Sequence, residues 1–559
     1  MKKIRSVFFN ISIIIVLLCE AGVSVGQSVP RPLHVAVVAH PIPRPKLVVG
    51  IVVDQMRWDY LYRYFDRYED GGFKRMIYDG FSCENTFINY LPSYTAVGHS
   101  TIFTGSVPAI HGITGNDWID QTTGRHWYCT EDTTEQSVGT SSPEGKMSPR
   151  NLLVSTVTDE LRLGTNFQSK VIGISLKDRA AILPAGHTAN GAFWFDDATG
   201  NFITSTYYMK DLPQWVKDFN GNKVPEKLTA NDWKPLYPID TYKQSTEDEE
   251  PWEGLFGDEK TSVFPHHTAA AFKQKIGSIR STPFGNELTL DFAKAAIDGN
   301  KLGQGSATDF LTINCASTDY VGHMFGPNSI EVEDTYLRLD KELASFFKYL
   351  DEKVGKGNYT VFLSADHGAA HAIGFMKEHK IPADIFAGSR LLKNINDLLA
   401  QKFGITGLAI SGMNYHINFN LKKIDSTDLN YDSIKKITVS YLQKQPGVEF
   451  AADIDNIGEA PIPEPIKAMI INGYNSKRCG SVIIIPEPGG FEGSMRGTTH
   501  GNWNPYDTHI PLLFMGWGIK HGVTNRKIYM TDIAPTIAAL LHIQMPNGCV
   551  GEVIGEVRK

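Results

Sequence analysis

Short unbroken apolar runs, each closed by a polar residue with chemistry to offer, set the plan of this chain. Leu47-Val-Val-Gly-Ile-Val-Val53 ends in Asp54, Phe310 to Ala316 leads to Asp319, and Tyr359 to Leu363 leads to Asp366. Val171 to Ser175 ends near Lys177, and Ser481 to Ile485 and Leu512 to Met515 have the same form. A short continuous apolar run fits a strand buried on both faces, as in a parallel sheet. Helical patterns lie between the runs. The clearest places Tyr336, Leu339, Leu343, Phe346, Phe347 and Leu350 on one face. This alternation predicts an α/β fold, a doubly wound, mostly parallel sheet with helices on both faces. Ligands of such sheets bind beyond the carboxyl ends of the strands, where the polar residues just named fall.

Two long stretches break the alternation. Residues 181 to 290 hold a hairpin signal, Ala192-Phe-Trp-Phe195 and Phe202-Ile-Thr-Ser205 around Asp-Asp-Ala-Thr-Gly200, and the acidic run Glu247-Asp-Glu-Glu250. Residues 371 to 480 mix strand-like runs with a helix marked by Ile434, Ile437 and Tyr441. Both read as insertions that cap the carboxyl edge of one α/β domain spanning residues 46 to 559.

The stretch Leu91 to Gly105 carries the first candidate chemistry. Pro92 and Ser93 signal a turn, Ala96 to Thr104 reads as a helix, and Gly105 stops it. Thr95 stands at the head of that helix, where unpaired N–H groups and a partial positive charge suit an anion. A Thr in that place is usually only a cap. What sets Thr95 apart is three Asp and three His elsewhere. Asp319 and His323 are four apart, hence on one face if helical. Asp366-His367 sits at a strand end, His500 lies in the glycine-rich loop Arg496 to Trp503, and Asp54 ends the first run. Six N/O ligands and no thiolate suit two metal ions, three ligands each, with Thr95 or water in the open positions. A metal is what makes a Thr hydroxyl nucleophilic near neutral pH. His99, His111, His187 and His509 read as structural. Ser93 is a rival nucleophile with a ready structural role in its turn.

Composition narrows the function classes. The 559 residues are 42% hydrophobic and 21% charged, which is ordinary for a globular protein. The net charge is −7 and there is no long Lys/Arg run, so an electrostatic grip on nucleic acid is not expected. Lys2, Lys3 and Arg5, then Val7 to Cys19, then Ser24-Val25-Gly26 form the three parts of a cleaved export signal over residues 1 to 26. The apolar part is shorter than the ~20 residues of a membrane span. The mature chain is therefore expected to be periplasmic or secreted without a membrane span, after a proline-rich extended arm over residues 27 to 45. Cys83, Cys129, Cys315, Cys479 and Cys549 remain, an odd number. Cys83 and Cys129 flank the Thr95 region and are the first pair to test for a disulfide. Cys315, in an apolar run, reads as a buried thiol. Nothing in the pattern fixes an oligomeric state.

The motifs Val53-Asp54, Pro92-Ser-Tyr-Thr95-Ala-Val-Gly-His99, Asp319-x-x-x-His323-x-x-Gly-Pro327, Ser364-Ala-Asp366-His367-Gly368 and Thr499-His500-Gly501 resemble those of the alkaline phosphatase superfamily, in its phosphodiesterase-like branch. The tail Tyr529 to Thr536, then Met545-Pro-Asn-Gly548, is similar as well. The likeness spans residues 46 to 552 and is strongest to the PafA-type secreted bacterial alkaline phosphatases, through Thr95, Gly115-Asn116-Asp117 and Lys177-Asp178-Arg179. It implies a phosphate monoesterase that forms a phosphothreonine on Thr95 and uses two zinc ions per chain on small phosphate monoesters. Asp319, His323 and His500 would hold the zinc on the leaving-group side. Asp54, Asp366 and His367 would hold the one on the Thr95 side. Asn116, Lys177 and Arg179 would contact the phosphoryl group. Lys177 and Arg179, two apart, fall on one side if that segment is extended. The alternatives are a nucleotide phosphodiesterase or pyrophosphatase of the same superfamily, which gains less from those two cations, and a non-catalytic zinc-binding surface protein on this fold. A sulfatase is disfavoured, since Pro92-Ser-Tyr-Thr95 lacks the required modification motif.

Overall fold

The computed structural model describes residues 42 to 559. The export signal, and all but the end of the N-terminal arm, lie outside the described residues. At the centre, β1 (Leu47–Val53) has all seven residues buried. Its apolar side chains each gain about 1.5–3 kcal/mol from burial. In chain order the other strands of its sheet are β2 (Phe81–Cys83), β3 (Ser137–Val138), β4 (Val171–Ser175), β5 (Gly191–Asp196), β6 (Asn201–Ser205), β7 (Asp309–Cys315) and β8 (Tyr359–Ser364). A second sheet uses β9 (Ala409–Ser411), β10 (His416–Phe419), β11 (Val448–Asp453) and β12 (Val482–Pro486). The first sheet is completed by β13 (Leu512–Gly516) and β14 (Gly522–Thr524), giving the ten-stranded order β14-β2-β13-β8-β1-β7-β4-β5-β6-β3. The adjacent strands β8, β1, β7, β4 and β5 run parallel. Antiparallel partners flank them, β13 on β8 and β6 on β5.

Helices cover both faces of this mixed sheet. The main ones are α1 (Thr95–Thr104), α2 (Asp178–Ala185), α3 (Phe284–Asn300), α4 (Ser317–Phe325) and α5 (Ile330–Leu350). Helices α1 and α2 pack on each other, and α3 and α5 form a separate packed pair. The apolar stripe expected on α5 is buried throughout, from Tyr336 to Leu350. Helix α1 is different, for all ten of its residues are buried. Its polar residues are accommodated locally, with the Ser100 and Thr104 hydroxyls donating to carbonyls one turn back at 2.8 and 2.7 Å.

Two expectations are corrected, and an open question about the cysteines is answered. The run at Ser481–Ile485 forms β12, but in the four-stranded second sheet, order β9-β10-β12-β11. With α6 (Gly388–Phe403) and α7 (Tyr431–Leu442), that sheet has its own apolar core of Leu391, Ile395, Ile434, Ile483 and Ile485 among others. The hairpin of residues 191 to 205 extends the main sheet rather than capping it, since β5 adds parallel to β4. Cys83 and Cys129, the first pair to test, form no disulfide. All five described cysteines are free, and Cys83 and Cys129 are buried in separate apolar clusters.

Candidate metal centre

Four adjacent parallel strands deliver the chemistry at their carboxyl ends. In sheet order, β8 leads to Asp366 and His367, β1 to Asp54, β7 to α4 with Asp319 and His323, and β4 to Lys177. The loop bearing His500 closes the site from the far end of the chain. Asp54, Asp366 and His367 bring ligand atoms within 4.8 Å of one another, and so do Asp319, His323 and His500. These are the only such groups of three among the described residues.

In the first group His367 Nε2 lies 3.7 Å from Asp54 Oδ1 and 3.3 Å from Asp366 Oδ2. Both oxygens are buried without a hydrogen-bond partner. In the second, Asp319 Oδ1 lies 3.0 Å from His323 Nε2 and 3.7 Å from His500 Nε2. Each imidazole is anchored through its other nitrogen. Nδ1 of His323, His500 and His367 meets the carbonyls of Thr498, Ser93 and Gly368 at 2.7, 2.7 and 3.0 Å. Those bonds assign the proton to Nδ1 and leave every Nε2 lone pair for a cation, as ligating histidines require. Burial, with the Asp366 carboxylate second, pushes the Asp54 carboxyl well above its usual range. Burial drives His500 well below the usual imidazole range. Burial also opposes ionisation of Asp319, but His323 and Lys177 outweigh it and hold its carboxyl low. Orphaned oxygens, imidazoles anchored with Nε2 turned to the carboxylates, and crowded carboxylates are the setting a divalent cation relieves, so the residues fit one metal in each group.

Thr95 is the first residue of α1 and is 1% exposed. The residue before it, Tyr94, gives the helix no side-chain cap. Asn116 from a neighbouring loop serves instead, its Oδ1 accepting from the Ala96 N–H at 3.0 Å. Its Nδ2 is then the end left for an anion. Thr95 Oγ1 lies 3.4 Å from His367 Nε2, beside the first group. Ser93 is occupied as its turn suggested, donating to the Asn502 carbonyl at 3.1 Å. Helix α1 reaches the strand end because Gly98 has no side chain. A Cβ there would stand 2.3 Å from the Asp366 carbonyl oxygen.

Lys177 and Arg179 are not the extended pair expected. Helix α2 starts at Asp178, so Lys177 precedes the helix and Arg179 lies in its first turn. Buried Lys177 reaches both ligand groups, with Nζ 2.9 Å from Asp54 Oδ2 and 2.7 Å from Asp319 Oδ2. Arg179 Nη1 donates to the Tyr128 hydroxyl at 3.1 Å, while its buried Nε has no partner. Both line a cavity of about 620 Å³ walled by Tyr128, Trp194, Phe256 and Tyr320.

Sequence reasoning missed several residues that hold this site. Gln55 donates its backbone N–H to Asp366 Oδ1 at 3.1 Å and its Nε2 to Asp319 Oδ1 at 2.7 Å, tying the two groups together. Its place next to Asp54 was a usable signal, but its positive φ of 62° was not visible. Gly322 makes room for it, for a Cβ there would meet Gln55 Oε1 at 2.0 Å. Asn314, on β7, donates to Asp54 Oδ2 at 3.2 Å. His99, read as structural, touches the site, with Nδ1 2.8 Å from the Thr95 carbonyl and 3.4 Å from Asp366 Oδ2. His111, His187 and His509 are engaged elsewhere.

Residues 48 to 508 match the family described as type I phosphodiesterase / nucleotide pyrophosphatase. The chain belongs to that family. Within it, the chain is 58% identical over 519 residues to alkaline phosphatase PafA of Elizabethkingia meningoseptica, covering 92% of this chain and 95% of that one. It is 53% identical over 552 residues to alkaline phosphatase PhoV of Synechococcus elongatus, covering 98% and 99%. The crystal structure of wild-type PafA superposes with a TM-score of 0.92 at 58% identity, over 93% of this chain and all of that one. The chain is therefore an enzyme, a hydrolase of the phosphatase class within this metal-dependent family. No described helix is long and apolar enough to cross a membrane.

Proposed function

We propose that this enzyme hydrolyses small phosphate monoesters through a phosphothreonine on Thr95, with zinc as the metal of both ligand groups and export as its destination. Asp319, His323 and His500 would hold one ion, and Asp54, Asp366 and His367 the other. Bound there, zinc supplies Lewis-acid charge that acidifies a hydroxyl and neutralises phosphoryl oxygens. Zinc suits a set of three imidazoles and three carboxylates without thiolate.

The chain's own groups do the positioning. Thr95 Oγ attacks phosphorus in line with the ester oxygen, losing its proton. The phosphorus–ester bond breaks, and the alcohol departs with a proton from solvent. Water then attacks from the vacated side, the Thr95 Oγ–phosphorus bond breaks, Thr95 regains a proton and inorganic phosphate leaves. Asn116 Nδ2 and the start of α1 receive one non-bridging oxygen, and Lys177 and Arg179 receive others. Such transfer depends on positioning and charge neutralisation more than on acid–base work.

The observation that carries the monoester reading is the pair of cations lining one cavity at this strand edge, buried Lys177 on both ligand groups and half-buried Arg179 with its Nε left without a partner. A monoester dianion presents an extra anionic oxygen to them, and a diester replaces it with a second ester group. The experiment compares kcat/KM for an aryl phosphate monoester and the matching diester in wild type, Lys177→Ala, Arg179→Ala and the double variant. Losing one such contact costs roughly 3–4 kcal/mol, so monoester turnover falls ~10²–10³-fold per strong contact while diester turnover falls much less. Equal losses on both substrates would return the phosphodiesterase reading to favour.

A further inference from the structure

Arg179 is the less firmly held of the two cations that line the cavity. Lys177 is fixed by Asp54 and Asp319. Arg179 has no carboxylate partner among the described residues, and its side-chain hydrogen bond runs from Nη1 to the Tyr128 hydroxyl at 3.1 Å. The carboxylate nearest to it in sequence is Asp178, and that group is occupied. Its Oδ1 accepts from the same Tyr128 hydroxyl at 2.7 Å, and its Oδ2 accepts from the Thr130 hydroxyl. A phenol has a single proton to donate. Here it goes to Asp178, so the oxygen meets the guanidinium as an acceptor. Burial, with the Asp178 carboxylate second, pushes the Tyr128 hydroxyl well above its usual range and keeps that proton in place.

Tyr128 is itself held by the chain that carries Asn116. A short hairpin pairs Asp117–Ile119 with His126–Tyr128 and sets Asp117 opposite Tyr128. At its base the Cys129 N–H donates to the Asn116 carbonyl at 2.9 Å. The Asn116 side chain accepts from the Ala96 N–H at the head of α1. The hairpin thus connects the start of α1, which carries Thr95, to the first turn of α2, which carries Arg179.

We infer that Tyr128 is a positioning residue for phosphoryl transfer, acting through Arg179; the inference rests on the monoester reading above. The hydroxyl has two effects. It anchors the guanidinium at the cavity wall that Tyr128, Lys177 and Arg179 share. It also keeps Asp178 engaged, so that this carboxylate does not pair with Arg179. An Arg–carboxylate pair is strong and directional, and it would turn the guanidinium away from an anionic oxygen and cancel its charge. Without the hydroxyl, Arg179 loses its anchor and Asp178 gains a free oxygen within one residue of it.

The test measures kcat/KM for an aryl phosphate monoester and the matching diester on full-length, metal-replete enzyme. The proteins are wild type, Tyr128→Phe, Arg179→Ala and the double variant. Misplacing a positioning group costs rate steeply, so Tyr128→Phe lowers monoester kcat/KM roughly tenfold to 10²-fold. Diester kcat/KM changes little. In the Arg179→Ala background the same change lowers monoester kcat/KM by less than about twofold, because the group it acts through is gone. Phe keeps the ring, and the hairpin is paired through its backbone. Both rates come from one preparation, so any loss of folded enzyme lowers them together and leaves their ratio unmoved. Unchanged monoester turnover in Tyr128→Phe, equal falls on both substrates, or an undiminished fall in the Arg179→Ala background overturns the inference. The Arg179→Ala single variant separates this failure from that of the monoester reading. If it slows both substrates equally, the reading fails and the inference falls with it. If it is selective for the monoester while Tyr128→Phe is not, the inference alone fails.

Discussion

Asp54, Asp366 and His367 come from the ends of two adjacent parallel strands, and their side chains are fully buried. Asp319, His323 and His500 come from a helix and a glycine-rich loop, and the His323 side chain is 34% exposed. The two groups have nearly the same chemistry, three carboxylates and three imidazoles divided between them. They differ in what holds them. Sheet pairing fixes the spacing of β1 and β8 from Leu47 to Val52, all of β1 but its last residue. The spacing of Asp319 from His500 rests on single contacts, such as Thr498 on His323 and Ser93 on His500. A rigid, dry group beside Thr95 suits a nucleophile that must be aimed. A group with an open side suits the oxygen that departs and the water that enters.

The strongest way to break this comparison is at Thr95. On the proposed route Thr95→Ala loses phosphomonoester turnover by several orders of magnitude while keeping its fold and metal content, and Thr95→Ser retains activity. The readouts are initial rates, circular dichroism and elemental analysis. Near-native turnover in Thr95→Ala would remove the reason for treating the Asp54 group as the nucleophile's side.

Metal release tests the difference in exposure directly. Elemental analysis of the active enzyme is expected to find two zinc ions per chain. A colorimetric chelator should then withdraw them in two phases, and His323→Ala should abolish the fast one, while His367→Ala abolishes the slow one. A single phase in wild type, or one tightly held ion with full activity, would show that the two groups are not distinct sites.

The smallest expected effect is at Gln55, which meets Asp366 through its backbone N–H and Asp319 through its side chain. Outer contacts of this kind are worth about 10–100-fold in metal affinity. Gln55→Ala should weaken the Asp319 site within that range, read by competition with a zinc-binding dye. The Asp366 contact is through the backbone and should survive. Unchanged affinity at both sites would mean that the hydrogen bond is incidental.

Much of this was legible in the order of residues. The unbroken runs around Leu47, Val171, Phe310 and Tyr359 became four neighbouring parallel strands, because a run with no polar face has nowhere to go but between two layers of helix. The limits of α1 and the place of Thr95 at its head followed from Pro92 and Gly105. The six candidate ligands were visible as residue types at two strand ends, on one helical turn and in a glycine-rich loop, and the motifs they share with a known superfamily sorted them into the two groups the structure brings together.

What only the tertiary structure decided depends on partners distant in sequence. The run at Val482 looks like any buried strand, and its membership of the second sheet rests on pairing with β10 and β11. Gln55 owes its role to residues 264 and 311 positions away, which leave no local pattern. Lys177 and Arg179 differ in what they touch because α2 begins between them, a boundary set by packing rather than spacing. Glu253 lies a few residues from the acidic run Glu247–Glu250, where the sequence suggests one more solvated charge. Only the fold buries it and leaves both its carboxylate oxygens without a hydrogen-bond partner. Periodicity reports whether a residue faces the interior, and what it meets there is fixed by the long-range contacts of the folded chain.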